Sequence, residues 1–208
     1  KKINGLDSIS VEAGQDVLLK TGTLDSDVLN LKANMGKIEE SDGFVLETPV
    51  LNATANNDIL LNSKANQLQQ VNVANANGNV YIVNGNKGAE NLAISITTTG
   101  ATINGDLTVY NYDEANGAAN KIVLANNLSA SGTIKIINEE ADVTVGAGGN
   151  IKATNITLQA VNNNVLVAGG VLEASSKVLL DGVDVTISGG EVKANTAELN
   201  AADDISLT

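Results

Sequence analysis

Carboxylates are the only strong acids that this chain offers for catalysis, because its 208 residues include no His and no Cys. Without His and Cys the chain has no imidazole base and no thiolate nucleophile. It also lacks Arg, so no bidentate guanidinium clamp is available. Neighbouring side chains on a strand point to opposite faces, so adjacent acidic residues make poor acid/base dyads. We therefore predict no catalytic residue and expect solvated turns at the four acidic pairs, which are Glu39-Glu40, Asp113-Glu114, Glu139-Glu140 and Asp203-Asp204.

Aspartates are also candidate calcium ligands, since oxygen ligands suit that ion. The groups to consider are Asp25 with Asp27, Asp181 with Asp184, and Asp203 with Asp204. No calcium-binding nonapeptide and no EF-hand loop occurs in the sequence, and its Gly-rich stretches fit no phosphate-binding fingerprint. We expect structural aspartates at corners, with no metal and no cofactor, and keep calcium as the alternative.

Tyr110 and Tyr112 are the candidate residues for contact with a partner. Leu107 and Val109 belong to one apolar face, so alternation sends both tyrosines to the other face. Two adjacent exposed aromatic rings could hold a sugar ring or a partner surface. In the alternative, residues 113–120 form a loop that folds over the rings and makes them a satellite cluster.

The charge balance argues against two classes of partner. With 12 basic and 24 acidic residues the formal net charge is −12, which repels phosphate backbones and anionic lipid headgroups. No stretch approaches the ~18 apolar residues of a membrane span. We therefore expect no nucleic acid binding and no membrane insertion. Apolar residues make up 43% of the chain but aromatic residues only 2%, so the core should be thin and aliphatic.

Repeats organise the C-terminal third of the chain. Three Gly-Gly pairs, at 148–149, 169–170 and 189–190, recur at intervals of 21 and 20 residues. After each pair come three short alternating segments, at 151–153, 156–160 and 165–167, at 172–174, 178–180 and 185–187, and at 192–194, 197–201 and 205–207. The sequence therefore predicts a unit of about 20 residues with three short strands.

Strands this short cannot form a hairpin sheet with its own core. A chain that coils and stacks unit on unit instead places equivalent strands about 4.8 Å apart, which predicts an all-β, single-stranded parallel β-helix, or β-solenoid. Looser alternation continues towards the N-terminus, so we expect one continuous β-helix over 1–208, most regular over 146–208. Its 20 Gly and 29 Asn suit tight corners, and stacked Asn could form amide ladders.

The segment from Gly148-Gly149-Asn150-Ile151 through Ile156-Thr157-Leu158-Gln159-Ala160 to Gly169-Gly170 carries a family resemblance. It resembles the repeats of filamentous haemagglutinin-type large exoproteins, the adhesins of two-partner secretion, and of related autotransporter passengers. The resemblance implies a right-handed β-helix that is exported across a bacterial outer membrane. The Asn-Pro-Asn signature of that family's secretion domain is absent, since Pro49 is the only proline. We therefore expect an internal passenger segment of a longer chain.

The resemblance implies a non-enzymatic adhesin, secreted or displayed at the bacterial surface, which contacts a receptor or glycan on a host or neighbouring cell. A first alternative is a structural subunit that binds copies of itself to build an extracellular filament or surface layer. A second alternative is a carbohydrate-active β-helix enzyme or a phage tailspike. Such enzymes usually need a groove with clustered Asp, Arg, His or Trp, and this chain has only Asp of these four.

Overall fold

Parallel strands wind around one common core in this structure, a computed structural model that describes residues 2–75, 77–85, 92–96, 103–112 and 121–208. The described residues form about eight coils with about 21 residues per turn, and they contain no helix. Most equivalent residues are 20 to 23 positions apart, but the coils at Asn84, Asn111 and Asn138 are spaced by 27. The prediction of an all-β parallel β-solenoid is therefore confirmed.

The strands belong to two parallel sheets, in which each strand pairs with its equivalents in the coils before and after it. Sheet A consists, in spatial order, of β1 (Lys2–Ala13), β3 (Gly22–Ala33), β5 (Phe44–Ala55), β7 (Gln67–Asn75), β9 (Leu92–Ile96), β11 (Ile122–Leu124), β14 (Val143–Val145), β16 (Val165–Ala168), β18 (Val185–Ser188) and β21 (Ile205–Leu207). Sheet B contains β2 (Val17–Leu19), β4 (Ile38–Glu40), β6 (Ile59–Leu61), β8 (Val80–Asn84), β10 (Leu107–Asn111), β12 (Leu128–Ser129), β13 (Thr133–Asn138), β15 (Asn150–Ala160), β17 (Val171–Gly182), β19 (Glu191–Lys193) and β20 (Thr196–Ala201).

The core between the sheets is built from columns of aliphatic side chains. Alternation sends every second residue inward, and the four residues that test this prediction most directly are all fully buried: Ile156, Leu158, Val165 and Val167. Equivalent residues stack in register, as where Val143 pairs with Val165 and Val165 with Val185. Each coil therefore buries its apolar side chains against those of its neighbours, as expected for a stack of repeats.

Described coils in both halves of the chain have the expected third strand segment, but that segment lies on different sides of the coil in the two halves. In the N-terminal half it comes after the sheet B strand, at 22–25 and 44–47, and continues around a corner into sheet A. Buried Ser26 and Thr48 form this corner, where their hydroxyls donate to the carbonyl oxygens of Val28 and Val50 at 3.0 and 2.9 Å.

In the C-terminal half the third segment comes before the sheet B strand instead. Residues 150–153 and 171–174 continue around a corner into the rest of β15 and β17. The register shifts at this corner, between Ala153 and Asn155. The changeover between the two arrangements falls between β7 and β12, where the 27-residue coils occur.

The Gly-Gly pairs turn the chain from sheet A into the third segment of the C-terminal half. The first glycine of each pair has a left-handed backbone, with φ of 90° at Gly148, 78° at Gly169 and 60° at Gly189. The second has ordinary φ but no room for a side chain, since a Cβ at Gly149 would overlap the carbonyl oxygen of Leu124 in the coil below. The two glycines are therefore required for different reasons, backbone conformation and close approach.

Candidate contact surface

All three tyrosines of the chain lie on the outer face of sheet B. Tyr81 lies on β8, Tyr110 on the neighbouring β10, and Tyr112 directly after it. The rings of Tyr110 and Tyr112 are 4.8 Å apart, centroid to centroid, with their planes tilted by 35°. The predicted pairing of Tyr110 with Tyr112 is thus present, and the sequence contains no signal that Tyr81 lies on the neighbouring strand, in register with Thr108. The Lys64 ammonium completes this tyrosine cluster, 4.1 Å from the centroid of the Tyr112 ring.

The rings of the tyrosine cluster differ in how much surface they offer. Tyr112 is engaged by both Tyr110 and Lys64, whereas Tyr81 has 37% of its surface exposed. Burial raises the pKa of Tyr110 to about 12, and the negative charge of Glu139 acts in the same direction. Tyr81 is therefore the ring best placed to meet a partner, while Tyr110 stays protonated at physiological pH.

The base of the tyrosine cluster is apolar. Val83, Tyr110 and Ile137 stack as one column on successive coils, and Val83 and Ile137 are buried although alternation directs them outward. The loop proposed to cover the rings, 113–120, lies outside the described residues, as does the acidic pair Asp113-Glu114.

A column of buried amides lies beneath the tyrosine cluster, on the inner side of the same strands. Asn84, Asn111 and Asn138 end three successive sheet B strands and are fully buried. The Asn84 amide donates to the Asn111 carbonyl oxygen at 3.0 Å, and Asn111 donates to Asn138 at the same distance. Asn138 in turn donates to the carbonyl oxygen of Asp142 at 3.0 Å. The amide ladder that the sequence made possible is therefore present, inside the coil.

Asn84 also bonds the backbone of Leu68, in the third segment of the N-terminal half. Its side-chain oxygen accepts the N–H of Leu68 at 2.9 Å, and its amide nitrogen donates to the Leu68 carbonyl at 3.1 Å. The side-chain amide thus pairs with the Leu68 backbone as a peptide group of a neighbouring strand would. This satisfies backbone groups that would be costly to bury without partners.

A second amide ladder runs along the outer face of sheet A. Asn52 donates to Asn30 at 2.9 Å, and Asn72 donates to Asn52 at 2.8 Å. These side chains are only half-buried, so water can replace the bonds of this ladder if one member is lost.

Aspartates and asparagines also link the turns of successive coils. A side-chain oxygen in one coil accepts the backbone N–H of the equivalent turn in the next coil, and in the turns before sheet B the glycine that precedes this N–H leaves room for the oxygen. The pairs before sheet B are Asp16 to Lys37, Asp58 to Asn79, Asn79 to Asp106, and Asp106 to Thr133, at 2.7 to 2.9 Å. Those before sheet A are Asp142 to Asn164, Asn164 to Asp184, and Asp184 to Asp204, at 3.0 to 3.2 Å.

Two of the aspartates considered as calcium ligands, Asp181 and Asp184, have structural hydrogen bonds instead. Asp184 accepts the N–H of Asp204, and Asp181 accepts the side-chain amide of Gln159 at 2.8 Å. Within the described ranges, no three acidic side chains come together in a way that could hold a metal ion. The calcium alternative thus gains no support from the arrangement of these aspartates.

The expectation of a solvated turn is wrong for Glu39-Glu40. Both residues lie in strand β4, where Glu39 points outward and pairs with Lys37 at 2.8 Å. Glu40 points inward and is only 1% exposed. Alternation separates the two carboxylates as expected, but it buries one of them, because Glu40 is the inward residue at the end of a core strand.

The other acidic pairs that the structure describes lie near the surface. Glu139 and Glu140 are half-buried after β13, and Glu140 accepts the Asn162 amide at 2.9 Å. Asp203 and Asp204 are exposed before β21. None of these contacts joins two carboxylates in the arrangement that general acid/base catalysis uses.

The three N-glycosylation motifs of the sequence, at Asn52, Asn127 and Asn155, lie in different settings. Asn52 lies within a strand of sheet A and its amide belongs to the outer ladder, whereas Asn155 is half-buried at a corner. Asn127 is exposed in a turn before β12. In a glycosylating expression host we therefore expect peptide mass spectrometry to find sugar at Asn127, lost in Asn127→Gln, and none at Asn52. Sugar at Asn52 with Asn127 unmodified would contradict this.

No helical segment long and apolar enough to span a bilayer occurs in the part of the chain that the structure describes. Comparison of the chain with protein-family models, with curated proteins and with solved structures finds no match. What is established is therefore the fold, a parallel β-solenoid of about eight coils.

Proposed function

We propose that this chain is part of a non-enzymatic adhesin, secreted or displayed at a bacterial surface, whose β-solenoid projects a contact surface away from the cell. The observation that carries the proposal is the stack itself, in which each coil rests on the one before it through both sheets. Such a rod can lengthen by adding coils, and its stability grows with each interface. The resemblance to haemagglutinin-type repeats supports the same role.

The tyrosine cluster is the contact surface that we assign to this rod. Tyrosine rings contribute large apolar area with a polar tip, which suits a receptor protein or a glycan. The outer faces otherwise carry mainly polar and charged columns, such as Lys152, Glu173 and Lys193 on neighbouring coils of sheet B. The proposed partner is thus a receptor or glycan on a host or neighbouring cell.

We expect Tyr81→Ala to reduce the affinity for cells or arrayed glycans about tenfold, which corresponds to the loss of ~1.4 kcal/mol of binding free energy. Leu179→Ala is the matched control, because Leu179 is also an outward residue of sheet B and lies in the same column as Tyr81. Binding is measured with purified protein, and melting temperatures verify that both variants fold. Equal binding by wild type and Tyr81→Ala would remove the tyrosine cluster from the proposal.

A second candidate function is end-to-end assembly into a filament or surface layer. Successive coils pair through parallel strands in both sheets, and the same pairing would join the coils of two copies. Strand edges with apolar side chains favour pairing with another chain. Ordered filaments of the purified protein in negative-stain electron microscopy, without binding to cells or glycans, would favour this candidate over the adhesin.

The proposal of a non-enzymatic protein has its own test. We expect no turnover when the protein is incubated with a panel of polysaccharides and the release of reducing ends or unsaturated products is followed. Turnover that disappears in a single carboxylate variant, such as Glu139→Gln, would overturn the proposal in favour of a carbohydrate-active enzyme.

A further inference from the structure

Glu40 is the one acidic side chain that is fully buried among the described residues. It lies on the inner side of β4, in register with Leu19 of the coil below. Its neighbours in the following coil, Ser63 and Asn66, are buried and uncharged. A carboxylate in such surroundings is costly unless hydrogen-bond donors compensate both of its oxygens.

Only one of the two Glu40 oxygens is compensated. Oε2 accepts the Ser63 N–H at 3.1 Å and the Asn66 amide at 2.8 Å. Oε1 is buried and has no hydrogen-bond partner. An ionised carboxylate would leave half of its charge on this uncompensated oxygen, whereas a protonated carboxyl has no net charge to bury.

Asn66 connects this carboxyl to two further strands. Its side-chain oxygen accepts the N–H of Leu46 at 2.8 Å, and its amide donates to the Val83 carbonyl at 3.2 Å as well as to Glu40. Leu46 belongs to the third segment of the N-terminal half, and Val83 lies on the strand that carries Tyr81. Through Asn66, Glu40 is thus connected to the third segment at Leu46 and to the base of the tyrosine cluster at Val83.

We propose that Glu40 is a proton-controlled latch, which holds the third segment of the N-terminal half closed while the carboxyl is protonated and loosens it on ionisation. The repeat architecture confines such an opening, because each coil contacts only its neighbours. The latch is a property of the corner formed by Glu40, Ser63, Asn66 and Leu46, and it does not depend on which partner the tyrosine cluster binds.

The direction of the pH dependence follows from burial. Burial raises the pKa of Glu40 from 4.5 to about 7, and hydrogen bonds from Asn66, Ser63 and Asn62 only partly oppose this. Asp42, in the turn after β4, is the charged neighbour that acts on Glu40, and it raises the pKa further. Leu19, Ser63 and Asn66, from the coils packed against Glu40, carry no charge. The contribution of Glu40 to stability is therefore greatest below pH 4.5, falls as the pH rises through this range, and is lost above 7.

Amide hydrogen exchange at Leu46 measures the latch, because its N–H is bonded to Asn66. After correction for intrinsic exchange, we expect its opening constant to rise about 70-fold from pH 5 to pH 8, as a pKa of 4.5 in the open state and about 7 in the closed state requires. Glu40→Gln keeps the shape of the protonated carboxyl and should abolish this rise. Glu39→Gln, the outward neighbour, should retain it, and the Leu158 amide in the other half should stay pH-independent.

A change of less than twofold at Leu46 in the wild type would overturn the latch. If Glu40→Gln does not fold, the wild-type protein still decides, through the carboxyl carbon shift of isotope-labelled glutamate. Titration of Glu40 near 7 supports the latch, and titration near 4.5 refutes it. A pH-dependent rise that is equal at Leu46 and Leu158 also refutes it, since the opening would then be global.

Discussion

Asn111→Ala is expected to lower the free energy of unfolding by about 4 kcal/mol. Asn111 is fully buried, accepts a hydrogen bond from Asn84 and donates one to Asn138. Its removal leaves an amide hydrogen of Asn84 and the side-chain oxygen of Asn138 without these bonds, in a place that water does not reach. Each such loss costs ~1–3 kcal/mol, and the cavity adds to it. Urea denaturation followed by circular dichroism measures the change.

Asn52→Ala is the matched control, because Asn52 also accepts one ladder bond and donates another. Its ladder lies on the outer face of sheet A, where the side chains are half-buried and water can take over the lost bonds. We expect a loss of about 1 kcal/mol or less. Losses of similar size for the two variants would show that burial does not set the strength of the amide ladders.

Gly149→Ala should be almost as damaging, with a loss of about 3 kcal/mol. The added methyl group would overlap the backbone carbonyl oxygen of Leu124 and lie 3.0 Å from a Val145 methyl carbon. Relief requires movement of the coil below, because the obstacle is backbone and not a flexible side chain. The same denaturation experiment measures the effect, and the midpoint should shift with little change in slope.

Gly146→Ala provides the comparison within the same turn, since a Cβ at Gly146 meets nothing within 4 Å. We expect its stability to stay within about 0.5 kcal/mol of wild type. If Gly149→Ala were tolerated equally well, the close stacking of coils at the Gly-Gly turns would be disproved. A further variant, Gly148→Ala, tests the left-handed backbone at that position, where we expect a cost of ~1–2 kcal/mol.

The sequence predicted the repeat and the inward face correctly where two independent signals agree. The Gly-Gly spacing gave the length of the coil, and the alternation of Ile156 with Leu158 gave the buried side. In the N-terminal half no Gly-Gly pair marks the coils, so only alternation was available. Alternation predicts that a strand is present, but it does not predict how strands join at a corner.

The position of the third segment could not be predicted for that reason. Around Ser26 and Thr48 the chain turns a corner without any Gly or Asn, because buried hydroxyls satisfy the backbone there. Composition gives no signal for such a corner. The burial of Glu40 could not be predicted from the sequence either, since two adjacent glutamates at the end of a short strand resemble a polar turn.

The buried amide column did leave a signal in the sequence. Three segments with alternating apolar residues each end in Asn, at 80–84, 107–111 and 134–138, and they are 27 residues apart. That spacing differs from the 20 to 21 residues of the Gly-Gly repeat. The strands therefore stack in the same way at two different coil lengths. A search of the sequence for one repeat length does not detect the 27-residue coils.

The changeover of the third segment restricts how a gene for this protein can grow by duplication. A coil copied within either half meets neighbours whose corner lies on the same side, so the new copy continues every hydrogen-bonded column. A coil moved from one half to the other would have its third segment on the opposite side from those of its neighbours. That segment would then lack a strand to pair with. We therefore expect inserted coils to be tolerated within each half but not across the boundary between the two halves.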